Sequence, residues 1–482
     1  MNSQLSSTQH GMWIAARTGA ATAYHMPVVV ALDADPDRGA LAKACRAVVE
    51  RHPLLGCAVQ EVDGEPQLVP AAELPGLDEA GSVEEAVTRP FDLARGPLVR
   101  FALVGGDTLV AVAHHLVFDG HSKDLLVADL ATYVQGGIPA ELEHSDHRER
   151  VAAQRERVAA LLPEAGEFWA GRWHEPDDTA VPGGWLRSRR AADAEVLEFP
   201  LELPRLAAAT HFEVLVAAVH VVLASYGNAE VATALDLSTR TEREAGHIGP
   251  YVNELPLFSR PSADMPFARF AAQIRGELRE VYRYREVPLA RAVPGLRPHA
   301  ALAPVSISYR RLPGTESPLG RVRWLEFNHS VRGALQLQVA HGPSGALVSL
   351  RHDPLELADA GRFAADLARV LAGVAADQDR PLGALADFAP VAAAEPRESQ
   401  AAPGAPLPAG GDPLVAQVTE IWEQVLERAP IGPHEDIFDL GGHSLTITQI
   451  IARMQTQLGV EIGLDDFFDN STIAGVVAVV RR

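Results

Sequence analysis

The chain has 482 residues, 47% of them apolar, enough for about three compact units with sizeable cores. Its formal charge of -21, from 63 acidic against 42 basic residues, repels phosphate backbones and anionic lipid surfaces alike, so neither nucleic acid nor a membrane is an expected partner. Only Cys45 and Cys57 occur, both in apolar stretches, which excludes a disulfide framework or zinc cluster; with no signal-like N-terminus, a cytoplasmic protein is expected.

In chain order, Leu41, Ala44, Cys45, Val48 and Val49 recur at helical spacing, and Leu109 to Ala113 reads as a buried strand. After that strand comes His114-His115-Leu116-Val117-Phe118-Asp119-Gly120-His121-Ser122, then a helix marked by Leu126, Leu130 and Tyr133 and stopped by Gly136-Gly137. Such a strand-to-helix turn aims side chains from a rigid sheet edge into a cleft, and a histidine there exchanges protons near neutral pH. The same residues would also suit two core histidines with Asp119 capping the next helix. Farther on, Phe212, Leu215, Val216, Val219, Val222, Leu223 and Tyr226 mark another helix. Leu335/Leu337/Val339 and Ala346/Val348/Leu350 alternate with period two around the turn HGPSG, the pattern of a hairpin. Mixed α and β layers follow. No His, Asp and Glu set has metal-ligand spacing, so no catalytic metal is expected.

Residues 389–412 are dense in Ala, Pro and Gly and carry no periodic apolar face, as in a flexible linker. Beyond it, Leu414, Val418, Ile421, Trp422 and Val425 mark one helix and Leu445, Ile447, Ile450, Ile451, Met454 and Leu458 a second; shorter apolar turns follow at Phe467/Phe468 and from Ile473 to Val480. Between the long helices, Gly441-Gly442 allow a tight turn and Ser444 opens the second helix. On spacing alone, Ser444 reads equally as a helix cap.

Phe438-Asp439-Leu440-Gly441-Gly442-His443-Ser444-Leu445 resembles the attachment motif of peptidyl carrier domains in nonribosomal peptide synthetases, with Ser471 where proline is common. The resemblance implies a four-helix carrier bundle over 413–482, whose Ser444 receives 4'-phosphopantetheine from a phosphopantetheinyl transferase. His114 to Gly120 resembles the HHxxxDG signature of condensation domains and of the wider chloramphenicol-acetyltransferase-like acyltransferases. Leu5-Ser6, Gln9 and Trp13, the run Ile248 to Leu255 and Pro304 to Arg310 extend that likeness. It implies an α/β domain over 1–388 with two lobes, about 1–172 and 173–388, meeting in a V around a tunnel.

By the same resemblance, His115 is the catalytic residue, His114 and Asp119 support it structurally, and Gly120 is a close-approach position beside the thioester. Ser122, Asn253 and Ser308 are candidates for the substrate channel. Gly56 stands where the family usually places an arginine, which leaves the ion pair of Asp119 to another cation or unmade. The implied reaction forms an amide, less readily an ester, between a carrier-bound acyl or peptidyl thioester and an amine, with one reactant on Ser444. Implied partners are an upstream donor carrier and, with no adenylation domain between the two parts, a stand-alone adenylation enzyme or other synthetase modules. Transfer from a Ser444-bound donor to a free amine or alcohol, and a degenerate domain serving only as a carrier scaffold, remain the alternatives.

Overall fold

The computed structural model describes residues 3–17, 22–33, 37–62, 65–142, 146–293, 296, 301–312, 314–389, 413–426, 428–435, 437, 440, 444–463, 466–467 and 470–481. The sequence readings at 390–412, Phe438, Asp439, Gly441 to His443 and Phe468, and those on the side chains of Ser444 and Leu445, fall outside them.

Two six-stranded sheets organise the larger part. In the first, the order is Glu316–Ser317, Gly320–Arg323, His25–Leu32, Thr108–His114, Val99–Val104 and Leu77–Ala80. Its central strands are buried almost throughout because Val, Leu, Ala and Phe follow one another with little polar alternation. Helix Arg38–Arg51, capped by the Asp37 carboxylate, buries the five apolar residues read from the sequence, and it packs beside helix Gly120–Val134. Two strands of this sheet come from far along the chain: Gly320–Arg323 pairs antiparallel with His25–Leu32. Gly320 makes that crossing possible. Its φ is +134°, and a Cβ there would lie 2.0 Å from the carbonyl oxygen of Ala31.

In the second sheet the order is Glu195–Leu201, Gly345–His352, Leu335–Gly342, Val305–Arg311, Val231–Ser238 and Val252–Ser259. The hairpin expected around HGPSG is present, with Leu337 opposite Leu350 and Val339 opposite Val348. Helix His211–Ser225 is buried from Val214 to Ser225, covered by helices Phe267–Arg283 and Ala360–Ala376. A capping box of Thr210 and Glu213 starts it. The polar stretch after Gly137 yields a 24-residue helix, His147–Ala170, that apolar periodicity alone does not announce.

The C-terminal part contributes helices Pro413–Leu426, Ser444–Leu458 and Ile473–Val480 among the described residues. Trp422 and Phe467 stack at 5.6 Å in their core, with Ile447, Ile450, Met454 and Val476 also buried. Helix Ser444–Leu458 lies against helix Ser7–Arg17 and strand Glu65–Pro70 of the larger part. No helix among the described residues is long and apolar enough to cross a membrane.

Replacing Gly320 by Ala is expected to destabilise the fold by more than about 1 kcal/mol, because the new Cβ meets backbone and the positive φ disfavours any L side chain. Urea unfolding checks this, and an unchanged midpoint would count against the crossing as described.

Candidate active site

The turn that follows strand Thr108–His114 is fixed by backbone first. The His115 amide donates to the Tyr24 carbonyl at 2.8 Å, and the His114 ring nitrogen Nδ1 accepts from the Leu116 amide at 3.1 Å. His114 is 1% exposed, stacked by Tyr24 and met edge-on by Phe91. Burial, with the charges of neighbouring cations, pushes its pKa well down. Its surroundings are those of a packed, neutral core histidine.

His115 is different. Its Nδ1 is 2.7 Å from the Phe118 carbonyl oxygen, which can only accept, so Nδ1 carries the proton and Nε2 keeps a free lone pair. The residue lines a cavity together with Tyr24, Asp236, Asn253, Glu254 and Arg332. Burial holds its pKa below the ordinary histidine value, although the Asp119 charge and the Phe118 carbonyl act the other way. At neutral pH this is an uncharged acceptor facing the cavity.

Asp119 points away from that space into a network. It caps helix Gly120–Val134 by accepting from the Ser122 amide and hydroxyl, each at 2.8 Å, and it accepts from the Tyr251 amide at 3.1 Å. The cation that the sequence left open is Arg240: its Nη2 and Nε lie 2.8 and 3.2 Å from the two carboxylate oxygens. Arg240 also donates to the carbonyls of Glu244 and His247. Burial alone would raise the Asp119 pKa; the guanidinium and the Ser122 bonds overcome it and hold the carboxyl below its usual range. That depressed pKa supplies stability above the unfolded value, lost as pH falls through the folded one.

The other sequence candidates separate. Ser122 is fully buried, bonded to Asp119, Arg240 and the Gly249 backbone, and so belongs to the brace. A Cβ on Gly120 would meet only the Arg310 side chain, at 3.7 Å, so no protein atom demands glycine there. Asn253 lines the cavity while its Nδ2 donates to the carbonyls of Arg285 and Val287, tying down the crossing loop. Ser308 hydrogen-bonds the Asp236 carboxylate. Asp236, Glu254 and Arg332 were not singled out from sequence; the available signal was an acid inside the apolar run Val231–Ser238.

Ser7, His10, Pro66, Arg155 and Arg291 also line the cavity. Helix Ser7–Arg17 and strand Glu65–Pro70, which supply part of that lining, are elements against which helix Ser444–Leu458 packs. Ser444 is the first residue of a 15-residue helix, whose free amide groups and dipole suit a phosphodiester, so the residues present fit an attached phosphopantetheine.

Removing the brace by Arg240→Ala strands a buried carboxylate and is expected to cost about 3–5 kcal/mol. Adding Asp119→Asn should recover part of that loss. Denaturant titration of the two single variants and the double variant checks both expectations, and strict additivity of the two substitutions would contradict the pairing.

Comparison with known proteins agrees with this geometry. The condensation domain family matches residues 2–310 and the phosphopantetheine attachment site family matches residues 416–480. Surfactin synthase subunit 2 of Bacillus subtilis is 26% identical over 314 residues, covering 59% of this chain and 9% of its own. Chondramide synthase cmdD of Chondromyces crocatus is 26% identical over 439 residues, covering 79% and 11%. The chain thus spans about a tenth or less of the length of these curated relatives. Among solved structures, the condensation domain from the monacolin K polyketide synthase MokA superposes with a TM-score of 0.68 at 18% identity, covering 79% of this chain and 99% of its own. The first condensation domain of the calcium-dependent antibiotic synthetase gives 0.66 at 19%, covering 79% and 98%. With His115 at a cavity lined from both sheets, the chain belongs to the condensation domain family, joined to a C-terminal phosphopantetheine attachment domain.

Proposed function

We propose that the chain forms an amide bond at His115 between an acyl or peptidyl thioester, brought by an upstream carrier protein, and an amine held on the arm attached to Ser444. One observation carries the reading: the lining of the His115 cavity includes residues of the helix and the strand against which the helix opening at Ser444 packs. When attached, phosphopantetheine supplies the thiol that holds the reactant as a thioester and the length that reaches the cavity. The phosphopantetheinyl transferase, the adenylation enzyme that loads the amine and the donor carrier are the partners this reading requires.

The residues of the chain divide the work. Nε2 of His115, an uncharged acceptor, takes a hydrogen bond or a proton from the attacking amine and holds it in line with the carbonyl. Asp119 and Arg240 keep the turn that carries the imidazole from shifting. Arg155 and Arg291 add positive charge to the cavity lining, which suits a phosphodiester. The scaffold alternative drew on Gly56 lacking the usual arginine; Arg240 supplies the cation in its place, so that argument for lost catalysis falls away.

Ser444→Ala should abolish the mass increase seen by intact-protein mass spectrometry after treatment with coenzyme A and a phosphopantetheinyl transferase. His115→Ala should leave that increase unchanged while lowering amide formation by about 10²- to 10⁴-fold. Full activity of the His115 variant would return the scaffold reading to the front.

A further inference from the structure

The cavity wall around His115 holds two facing carboxylates beside groups able to accept hydrogen bonds. Asp236 and Glu254 face each other directly across the antiparallel strands Val231–Ser238 and Val252–Ser259, an arrangement that costs stability unless the charges are compensated. Arg332 attracts both, but forms a salt bridge with Glu254 alone. Arg332 lies 2.9 Å from Glu254, whereas no salt bridge reaches Asp236 among the described residues, and its partner there is the Ser308 hydroxyl. Tyr24, 2% exposed, lines the same cavity, and no hydrogen bond to its hydroxyl is found among the described residues. Its ring centre is 6.2 Å from that of His115, whose Nε2 has a free lone pair.

The carboxylate of Asp236, the phenol oxygen of Tyr24 and Nε2 of His115 are all able to accept. Of the three guanidiniums in the lining, Arg332 is engaged with Glu254 and stands 5.5 Å over the Tyr24 ring, Arg155 donates to Gln4 and Arg291 to the Ser7 hydroxyl. A carboxylate with no salt bridge, set beside further acceptors, matches a group with positive charge and three donors. A primary ammonium has both, whereas a hydroxyl offers one donor and no charge.

We propose that Asp236 selects the acceptor of the reaction: with Tyr24 and His115 it receives a protonated aliphatic amine, favouring basic amines over hydroxyls and weakly basic aryl amines. This rests on the reading of His115 as the place where donor and acceptor meet. In the reaction, the ammonium gives one proton to the Asp236 carboxylate and the freed lone pair forms the C–N bond. The C–S bond of the donor thioester breaks, and a second amine proton passes through Nε2 of His115 to the departing sulfur. Amide and thiol result, and Asp236 returns its proton to solvent. Burial and the facing Glu254 charge raise the Asp236 pKa to about 6, against the pull of Arg332 and the Ser308 hydrogen bond, so the group accepts and releases a proton near neutrality. Tyr24, with its pKa raised, and His115, with its pKa lowered, stay uncharged there, and Arg332 remains a cation.

The test compares two free probes with the full-length chain unmodified at Ser444: a glycyl amide of amino-pantetheine, and its glycolyl counterpart with hydroxyl in place of ammonium. The unmutated protein should bind the glycyl probe at least tenfold more tightly at pH 7.5. That preference should fade towards pH 5 as Asp236 becomes protonated, while glycolyl binding stays level. Asp236→Asn should keep glycolyl affinity and lose the preference. Equal binding of the two probes by the unmutated protein, or a preference that survives in Asp236→Asn, overturns the proposal. Amide formation by the loaded protein is scored separately. If none occurs while the preference and its pH dependence hold, the reaction assigned to His115 fails and the recognition by Asp236 stands. If amide forms without any preference, the reverse is true.

Discussion

The ion pair of Asp119 with Arg240 joins the two halves of the larger domain close to the point where His115 leaves its strand. Asp119 follows the first sheet and starts helix Gly120–Val134; Arg240 follows strand Val231–Ser238 of the second. Both are almost completely shielded from water, so neither charge is tolerable without the other. The same helix makes one more ion pair across the junction, from Asp124 to Arg310, while Lys123 donates to the Trp324 carbonyl beside the strand that the later half of the chain lends to the first sheet. The two ion pairs from one helix start set the imidazole relative to the opposite wall.

That fixed junction explains why the cavity can be assembled from residues distant in sequence. Tyr24 and His115 come from the first half, Asp236, Glu254 and Arg332 from the second. The first pair is kept neutral by burial, and the other three place charge beside it. An uncharged imidazole next to a carboxylate that titrates near neutrality is suited to moving protons without building a net charge inside the protein. The helix from Ser444 packs against helix Ser7–Arg17 and strand Glu65–Pro70, both of which contribute to the cavity lining.

The sequence made the architecture legible where apolar period and turn chemistry agreed. Helices Arg38–Arg51 and His211–Ser225 and the hairpin of Leu335–Gly342 with Gly345–His352 are instances, each with a clean buried stripe or alternation. The HHxxxDG residues could be placed on a strand-to-helix turn for the same reason. Helix His147–Ala170 was not legible because much of its surface is polar and its single proline, Pro163, reads locally as a stop. The pairing of Gly320–Arg323 with the first sheet was hidden by nearly three hundred residues of separation from its partner, His25–Leu32. Arg240 and Asp236 were obscure for a related reason: one arginine in an Arg-rich loop and one acid in a strand acquire meaning only from what the fold sets opposite them.

The central claim is that the arm on Ser444 delivers its cargo to Nε2 of His115. Loading Ser444 with a bromoacetyl-amino-pantetheine arm tests it directly, because an alkylating group that reaches a free imidazole lone pair forms a bond that peptide mass spectrometry can locate. The account predicts a single intramolecular cross-link from Ser444 to His115, absent in His115→Ala. A loaded arm that leaves His115 unmodified, or a cross-link yield unchanged by His115→Ala, would contradict it.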